Sequence, residues 1–150
     1  MDLVRPSWDE YFLGIAAAVA ARGDCVRRLV GAVLVENWTH RIIATGYNGS
    51  PPGGPSCLAG ECPRCLSDAP SGGSYEGCIE LHAEENCLAY ANQYDFEHSG
   101  LRMGQTIYLT CDPCVLCRPL LTRQRVGKIV VAQSFDPSGA MVASQVDRKN

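Results

Sequence analysis

His82-Ala83-Glu84 and, about thirty residues further on, Pro113-Cys114-Val115-Leu116-Cys117 decide how this chain is read. One imidazole and two thiolates make three zinc ligands. A closed structural site recruits four, so one tetrahedral position is left for water. Zinc lowers the pKa of such a water from about 15.7 toward roughly 7, which makes hydroxide available at neutral pH. Glu84 stands two residues past His82 and is of the right type to take that proton and pass it on. The reading is therefore a catalytic zinc on His82, Cys114 and Cys117, with Glu84 as the catalytic acid and base. The alternatives are a structural Cys/His knuckle and a redox Cys-x-x-Cys pair, and neither has a use for a distant carboxylate.

Outward from these motifs, the pattern predicts alternating helices and strands. Ser7-Trp8-Asp9-Glu10 is a capping box opening a helix that runs to Gly23. Val30–Glu36 and Arg41–Tyr47 are β-rich and joined by a short connection, which makes an antiparallel hairpin. Leu81 to about Tyr94 has helical spacing and places His82 and Glu84 in its first turn. Gln105–Thr110 is a strand, Pro113 to about Arg125 a helix carrying Cys114 and Cys117 on one face, and Lys128–Gln133 another strand. The two helix N-termini then face one point, where their dipoles favour thiolate and hydroxide. The helical crossovers make the later strands parallel, giving a mixed sheet with helices packed on it. Beyond Pro137 the pattern is weak, and the last dozen residues read as a polar tail or a weak terminal element.

Composition sets limits on function. The 150 residues suffice for one domain with a real core, 46% hydrophobic and 19% charged, with a net charge of −3 and no run of Lys or Arg. The footprint of a nucleic-acid binder is missing. The apolar stretch Tyr11–Ala21 is about half a membrane span and follows two acidic residues, so it reads as a buried helix and not as a signal or membrane anchor. A cytoplasmic, reducing location follows as an expectation. Nine cysteines there point to metal binding more than to disulfides.

His-x-Glu followed by Pro-Cys-x-x-Cys is an established signature of zinc-dependent nucleobase deaminases. The chain further resembles the deoxycytidylate (dCMP) deaminase family, within the cytidine-deaminase-like superfamily. The resemblance runs from about Asp24 to Gln133. It rests on Cys25-Val26-Arg27-Arg28-Leu29-Val30-Gly31-Ala32-Val33, on Gly46-Tyr47-Asn48-Gly49-Ser50-Pro51 with Gly53 and Cys57 beyond, on His82-Ala83-Glu84-Glu85-Asn86, and on Tyr108-Leu109-Thr110 running into the Pro-Cys-x-x-Cys turn. It implies a three-layer α/β/α fold with a mixed central sheet and a Cys-rich loop, about 48–78, inserted between the hairpin and the catalytic helix. The implied reaction is hydrolytic deamination of dCMP to dUMP and ammonia, supplying thymidylate synthesis. The resemblance also implies activation by dCTP, inhibition by dTTP and a homo-oligomer, either a hexamer or a dimer. Arg28, Asn48 and Ser50 become candidates for holding the phosphate and sugar. Asn48-Gly49 is equally a strong turn signal, and Arg27 and Arg28 equally solvated charges at the start of a strand.

Cys57, Cys62, Cys65 and Cys78 fall within the inserted loop, where Cys62-Pro63-Arg64-Cys65 forms a Cys-x-x-Cys knuckle. Four soft ligands in a segment without its own core fit a second, structural zinc, with Cys25 as an alternative ligand. Buried free thiols are the other reading. Cys87 and Cys111 are taken as packing residues. Other functions compatible with the motifs are deamination of another cytosine nucleoside or nucleotide, of a modified pyrimidine nucleotide or of adenosine in tRNA, and a zinc module without catalysis.

Overall fold

The structure is a computed structural model and describes residues 4–70, 75–94, 102, 104–135 and 141–145. Its elements in chain order are α1 (Trp8–Ala20), β1 (Gly31–Glu36), β2 (Ile42–Tyr47), α2 (Ala83–Tyr94), β3 (Gln105–Leu109), α3 (Cys117–Arg123), β4 (Lys128–Phe135) and β5 (Met141–Gln145). The expected capping box is present, with Ser7 Oγ accepting from the Glu10 N–H and Glu10 accepting in return from the Ser7 N–H. Both reciprocal bonds satisfy orphan donors at the start of the helix.

The strands form one sheet in the order β2-β1-β3-β4-β5. β1 pairs antiparallel with both β2 and β3, β3 runs parallel to β4, and β5 returns antiparallel along β4. The parallel pair is the one joined through α3, as a helical crossover requires. β5 gives form to what the sequence suggested only as a polar tail or weak element. Its five residues have too little periodicity to announce a strand, and it is the edge of β4 that supplies their hydrogen-bond partners.

β1 and β3 lie in the interior of the sheet, so helices cover both faces. On one face α1 places Phe12, Leu13 and Ala16 against Val33, Val35, Tyr108 and Val130. On the other, Ala83, Cys87, Leu88 and Ala91 of α2 and Leu121 of α3 meet Ala32, Leu34, Ile107 and Leu109. Alternate residues of β1 thus serve opposite layers, the period-two rule of a strand buried on both sides. This is the expected three-layer α/β/α architecture.

Two glycines set the distance between the layers. A Cβ on Gly31 would stand 2.0 Å from the Ala16 carbonyl oxygen of α1, and one on Gly46 would stand 2.3 Å from the Ala83 oxygen and 2.4 Å from the Cys87 nitrogen of α2. β2 therefore lies directly against the start of α2. Asn86 strengthens that seam, its Nδ2 donating to the Tyr47 carbonyl at 2.8 Å. Among the described residues no helix is long and apolar enough to cross a membrane.

Candidate metal centre

The start of α2 is built from both sides. Leu81 forms an antiparallel bridge with Gly49, which keeps residues 80–82 extended and delays the helix to Ala83. His82 consequently sits just ahead of the helix and not in its first turn. Its carbonyl accepts from the Asn86 N–H at 3.0 Å, and its own N–H donates to Glu85 Oε2 at 2.9 Å. These bonds fix the imidazole at the mouth of the helix.

α3 also starts later than the sequence suggested, at Cys117 instead of Pro113. Pro119 explains the difference. In a helix begun at Pro113 it would occupy the interior, lacking an N–H and clashing with the preceding turn, at a cost of about 3 kcal/mol. With the start at Cys117 it falls in the first turn, where its missing donor costs nothing. Cys114 instead occupies a turn ahead of the helix, its carbonyl accepting from Cys117 N at 3.1 Å and Arg118 N at 3.0 Å. The turn still brings the two thiols together.

His82, Cys114 and Cys117 offer three ligand atoms within 4.8 Å of one another. Both sulfurs lie 3.3 Å from His82 Nδ1, which identifies that nitrogen as the one facing the thiols. The edge of the Tyr75 ring meets the imidazole at 4.8 Å between centroids. Glu84 is only 3% exposed. Burial raises its carboxyl pKa, against the opposing pull of hydrogen bonds from its own backbone N–H and from Cys117 and of the nearby His82. Burial, with Glu84 and Cys114 as neighbours, likewise pushes the Cys117 thiol up. Two thiols and a carboxyl crowded around one imidazole need a cation to become anionic together, and a tetrahedral zinc suits one nitrogen and two sulfurs. The donor set fits the ion.

A cavity of about 390 Å³ opens at this cluster, lined by His82, Glu84, Cys114, Arg28, Asn48 and Glu80 among others. The Arg28 guanidinium lines the cavity with no hydrogen-bond or ion-pair partner among the described residues. Arg27 is committed elsewhere, donating to the carbonyls of Ala69, Arg64 and Ser67 and so fastening the inserted loop. Asn48 is buried and its amide is spoken for, Nδ2 donating to the Arg28 carbonyl and Oδ1 accepting from the Val30 N–H, each at 2.7 Å. It holds the backbone on either side of Leu29. Ser50, expected beside a nucleotide, is not brought to this cavity. The chain turns after the Gly49 bridge, Ser50 Oγ donates to the Pro55 carbonyl, and the residue lines a separate depression beside Tyr47 and Asn86.

The sequence reading missed Glu80 and Tyr75. The extended stretch 78–82 presents alternate residues, Cys78, Glu80 and His82, to the cavity. Glu80 is 9% exposed, and its carboxyl lies against the Asp24 carboxylate, to which its protonated form donates a hydrogen bond. Burial and the neighbouring Asp24 carboxylate raise its pKa to about 7. Asp24 is itself anchored, accepting from Ser56 Oγ at 2.7 Å and from Cys57 N at 2.9 Å. Two-residue spacing back from His82 was the available signal, but only the Gly49–Leu81 bridge makes it meaningful.

The loop thiols form a second group. Cys25, Cys57 and Cys65 come within 4.8 Å of one another. The Cys62 thiol hydrogen-bonds to Cys65. Burial pushes Cys62 up, yet the N–H groups of Ile79, Cys65 and Arg64, together with Cys65 itself, outweigh it and bring the thiol down to about 7. Cys62 and Cys78, both expected as ligands, stand outside the trio. Cys78 belongs to the extended stretch along the cavity, and its thiol reaches Cys62. Cys87 is fully buried with its sulfur 3.5 Å from the Ala44 carbonyl, a packing position, whereas Cys111 is half-buried on the cavity wall.

The family described as the cytidine and deoxycytidylate deaminase zinc-binding region matches residues 6–133. The chain belongs to that family. The match takes in both helices at the thiol–imidazole cluster and the inserted loop. Deoxycytidylate deaminase of Mycobacterium phage D29 is 44% identical over 131 residues, covering 84% of this chain and 94% of the phage protein. Deoxycytidylate deaminase of Schizosaccharomyces pombe is 41% identical over 134 residues, which are 88% of this chain and 39% of the yeast protein. The chain thus spans well under half of that longer relative and nearly all of the phage one. Among solved structures, dCMP deaminase of cyanophage S-TIM5 in complex with dCMP and dUMP superposes with a TM-score of 0.61 at 25% identity, covering 84% of this chain and 81% of that one.

Proposed function

We propose that this chain is a hydrolase that converts dCMP and water to dUMP and ammonia, with zinc held by His82 Nδ1 and the sulfurs of Cys114 and Cys117. The observation that carries the reading is the placement of Glu84, buried within hydrogen-bonding reach of Cys117 and facing the same cavity as His82 and Arg28. A carboxyl that is not needed as a ligand and sits there has a proton to move. The phage D29 and Schizosaccharomyces pombe relatives and the cyanophage protein are deoxycytidylate deaminases, which supports the same substrate here.

Zinc, when bound, supplies Lewis-acid activation of the attacking water. Glu84 takes the proton of that water as its oxygen adds to C4 of the base and delivers it to N3. A second proton transfer through the same carboxyl releases the C4 amino group as ammonia and leaves the C4 carbonyl of dUMP. Burial serves this traffic, because a carboxyl whose pKa is raised toward the working pH both accepts and returns protons readily. His82, Cys114 and Cys117 hold their geometry through the two helix starts, so the reacting carbon meets a preset arrangement. Arg28, uncommitted at the cavity mouth, meets the phosphate, and Asn48 supports it by pinning the Arg28 backbone.

A second zinc belongs to the same proposal, on Cys25, Cys57, Cys65 and, completing four sulfurs, Cys62. The trio's spacing and the lowered Cys62 thiol support it, and a closed four-sulfur site would order a loop otherwise paying full conformational entropy. Subunit assembly and control by dCTP and dTTP remain part of the proposal on the strength of the family resemblance alone.

Ammonia release from dCMP, deoxycytidine and a cytosine oligonucleotide tests the substrate. The expected kcat/KM for dCMP exceeds that for deoxycytidine at least about a hundredfold, since charge-assisted phosphate contacts of a few kcal/mol are lost with the phosphate. Equal values for nucleoside and monophosphate would overturn the nucleotide assignment, and preference for the oligonucleotide would replace it with action on a polymer.

A further inference from the structure

We infer that Tyr75 is a positioning residue for the zinc ligands, its phenol donating to the Cys114 sulfur while its ring packs edge-on against the His82 imidazole. The inference rests on the zinc reading of that site and deepens it. Tyr75 meets two ligands at once. Its ring lies 4.8 Å from the imidazole between centroids, at 65°. Its hydroxyl hydrogen-bonds to the Cys114 sulfur, which is itself 3.3 Å from His82 Nδ1. Burial and the charge of Cys114 hold the phenolic proton more tightly than usual, so toward sulfur the group is a donor. A thiolate ligand carries excess negative charge, and an O–H aimed at it both disperses that charge and fixes where the sulfur sits.

The chain is arranged to hold the phenol there. Tyr75 opens a turn that Cys78 closes, the Cys78 N–H donating to the Tyr75 carbonyl at 3.0 Å, with Gly77 at a φ of 74° that suits glycine. This reversal lays Tyr75 back along the extended stretch that ends at His82. Over the face of the ring stands the Arg64 guanidinium, 4.7 Å from the centroid. Arg64 is buried and fixed in turn, donating to the Pro70 carbonyl at 3.0 Å while its own carbonyl accepts from Arg27 and Ser67. A cation on the ring face draws electron density from the phenol and strengthens it as a donor. Each of these contacts is made within the chain, so the bond to Cys114 is in place before substrate arrives. The two sulfurs thus have different partners: Glu84, which moves protons, beside Cys117, and Tyr75, which does not, beside Cys114.

Cobalt(II) in place of zinc reports on the thiolates directly, because its sulfur-to-metal charge-transfer bands follow the electron density on sulfur. Wild type, Tyr75→Phe and Tyr75→Leu are titrated with cobalt, and the spectrum of cobalt-loaded Cys114→Ala, which keeps the loop thiols, is subtracted. Tyr75→Phe keeps the ring and loses only the hydroxyl. It should move the remaining band to longer wavelength and raise the cobalt concentration for half-occupancy about 10–100-fold, the usual loss when an outer partner of a metal ligand is removed. Tyr75→Leu should do at least as much, and with zinc restored Tyr75→Phe should lower kcat on dCMP more than it raises KM. An unmoved band in Tyr75→Phe would overturn the inference even if Tyr75→Leu is impaired, since the ring alone would then be at work. A raised KM for dCMP with the spectrum unmoved would overturn it as well, making Tyr75 a substrate contact. Both results leave the deaminase reading standing. Absence of the band from wild type after subtraction would remove the metal from His82, Cys114 and Cys117, and this inference with it.

Discussion

The two thiol clusters of this chain are mounted differently. Cys114 and Cys117 stand in a turn and at the first residue of α3, opposite His82 at the mouth of α2, and both helices lie on the sheet through Leu88, Ala91 and Leu121. Cys57, Cys62 and Cys65 lie in residues 48–82, where among the described residues only the single bridge of Gly49 to Leu81 reaches strand geometry. The first cluster is organised by the hydrophobic core. The second organises its own surroundings, aided by Arg27 and Asp24, whose bonds to the loop backbone come from just before β1. Removing a ligand should therefore hurt chemistry in one case and folding in the other.

The largest expected effect sharpens the first half of that contrast. Glu84→Gln should lower kcat on dCMP by about 10²–10⁴-fold, the range for removing a general acid and base, with zinc content and melting temperature unchanged. Activity within about tenfold of the parent would remove Glu84 from the proposed role.

Comparing Cys114→Ala with Cys65→Ser puts the contrast itself at risk. Both should lose about one of two zinc ions by elemental analysis. Cys114→Ala should abolish turnover yet keep the fold, whereas Cys65→Ser should lower the melting temperature by at least about 5 °C, since about 2–4 °C accompanies each kcal/mol in a protein of this size. One zinc in wild type, or the same thermal loss in both variants, would break the distinction.

The smallest effect tests the mounting. Gly46→Ala puts a Cβ against the Ala83 and Cys87 backbone and should cost roughly 1–3 kcal/mol in denaturant unfolding, because the seam between β2 and α2 has to open. A variant as stable as the parent would show that the seam tolerates being widened.

The sequence made much of this legible because local chemistry and local structure agree where the motifs lie. Capping-box chemistry at Ser7 and Glu10, the β-rich run of β1 and the Cys-x-x-Cys spacing each act over a few residues, and each is found in the structure. What escaped depends on contacts distant in the chain. The start of α2 is set by Gly49, more than thirty residues upstream, and the loop trio gathers Cys25, Cys57 and Cys65 with Cys62 and Cys78 outside it. Cys25, named from the sequence as an alternative ligand, joins that trio from before β1, so spacing within the loop could not rank it above Cys62 and Cys78. Ser50 looked like a ligand because of the motif around it, but the turn closed by its bond to Pro55 carries it to another face. The start of α3 was legible in principle, for Pro119 forbids the longer helix.

The most direct test of the central claim is ammonia and dUMP formation from dCMP by the protein as purified, after exhaustive chelation, and after zinc is restored. Equimolar dUMP and ammonia, lost on chelation and regained with zinc, is the predicted result. Failure to deaminate dCMP, or turnover that survives complete removal of the metal, would contradict the account.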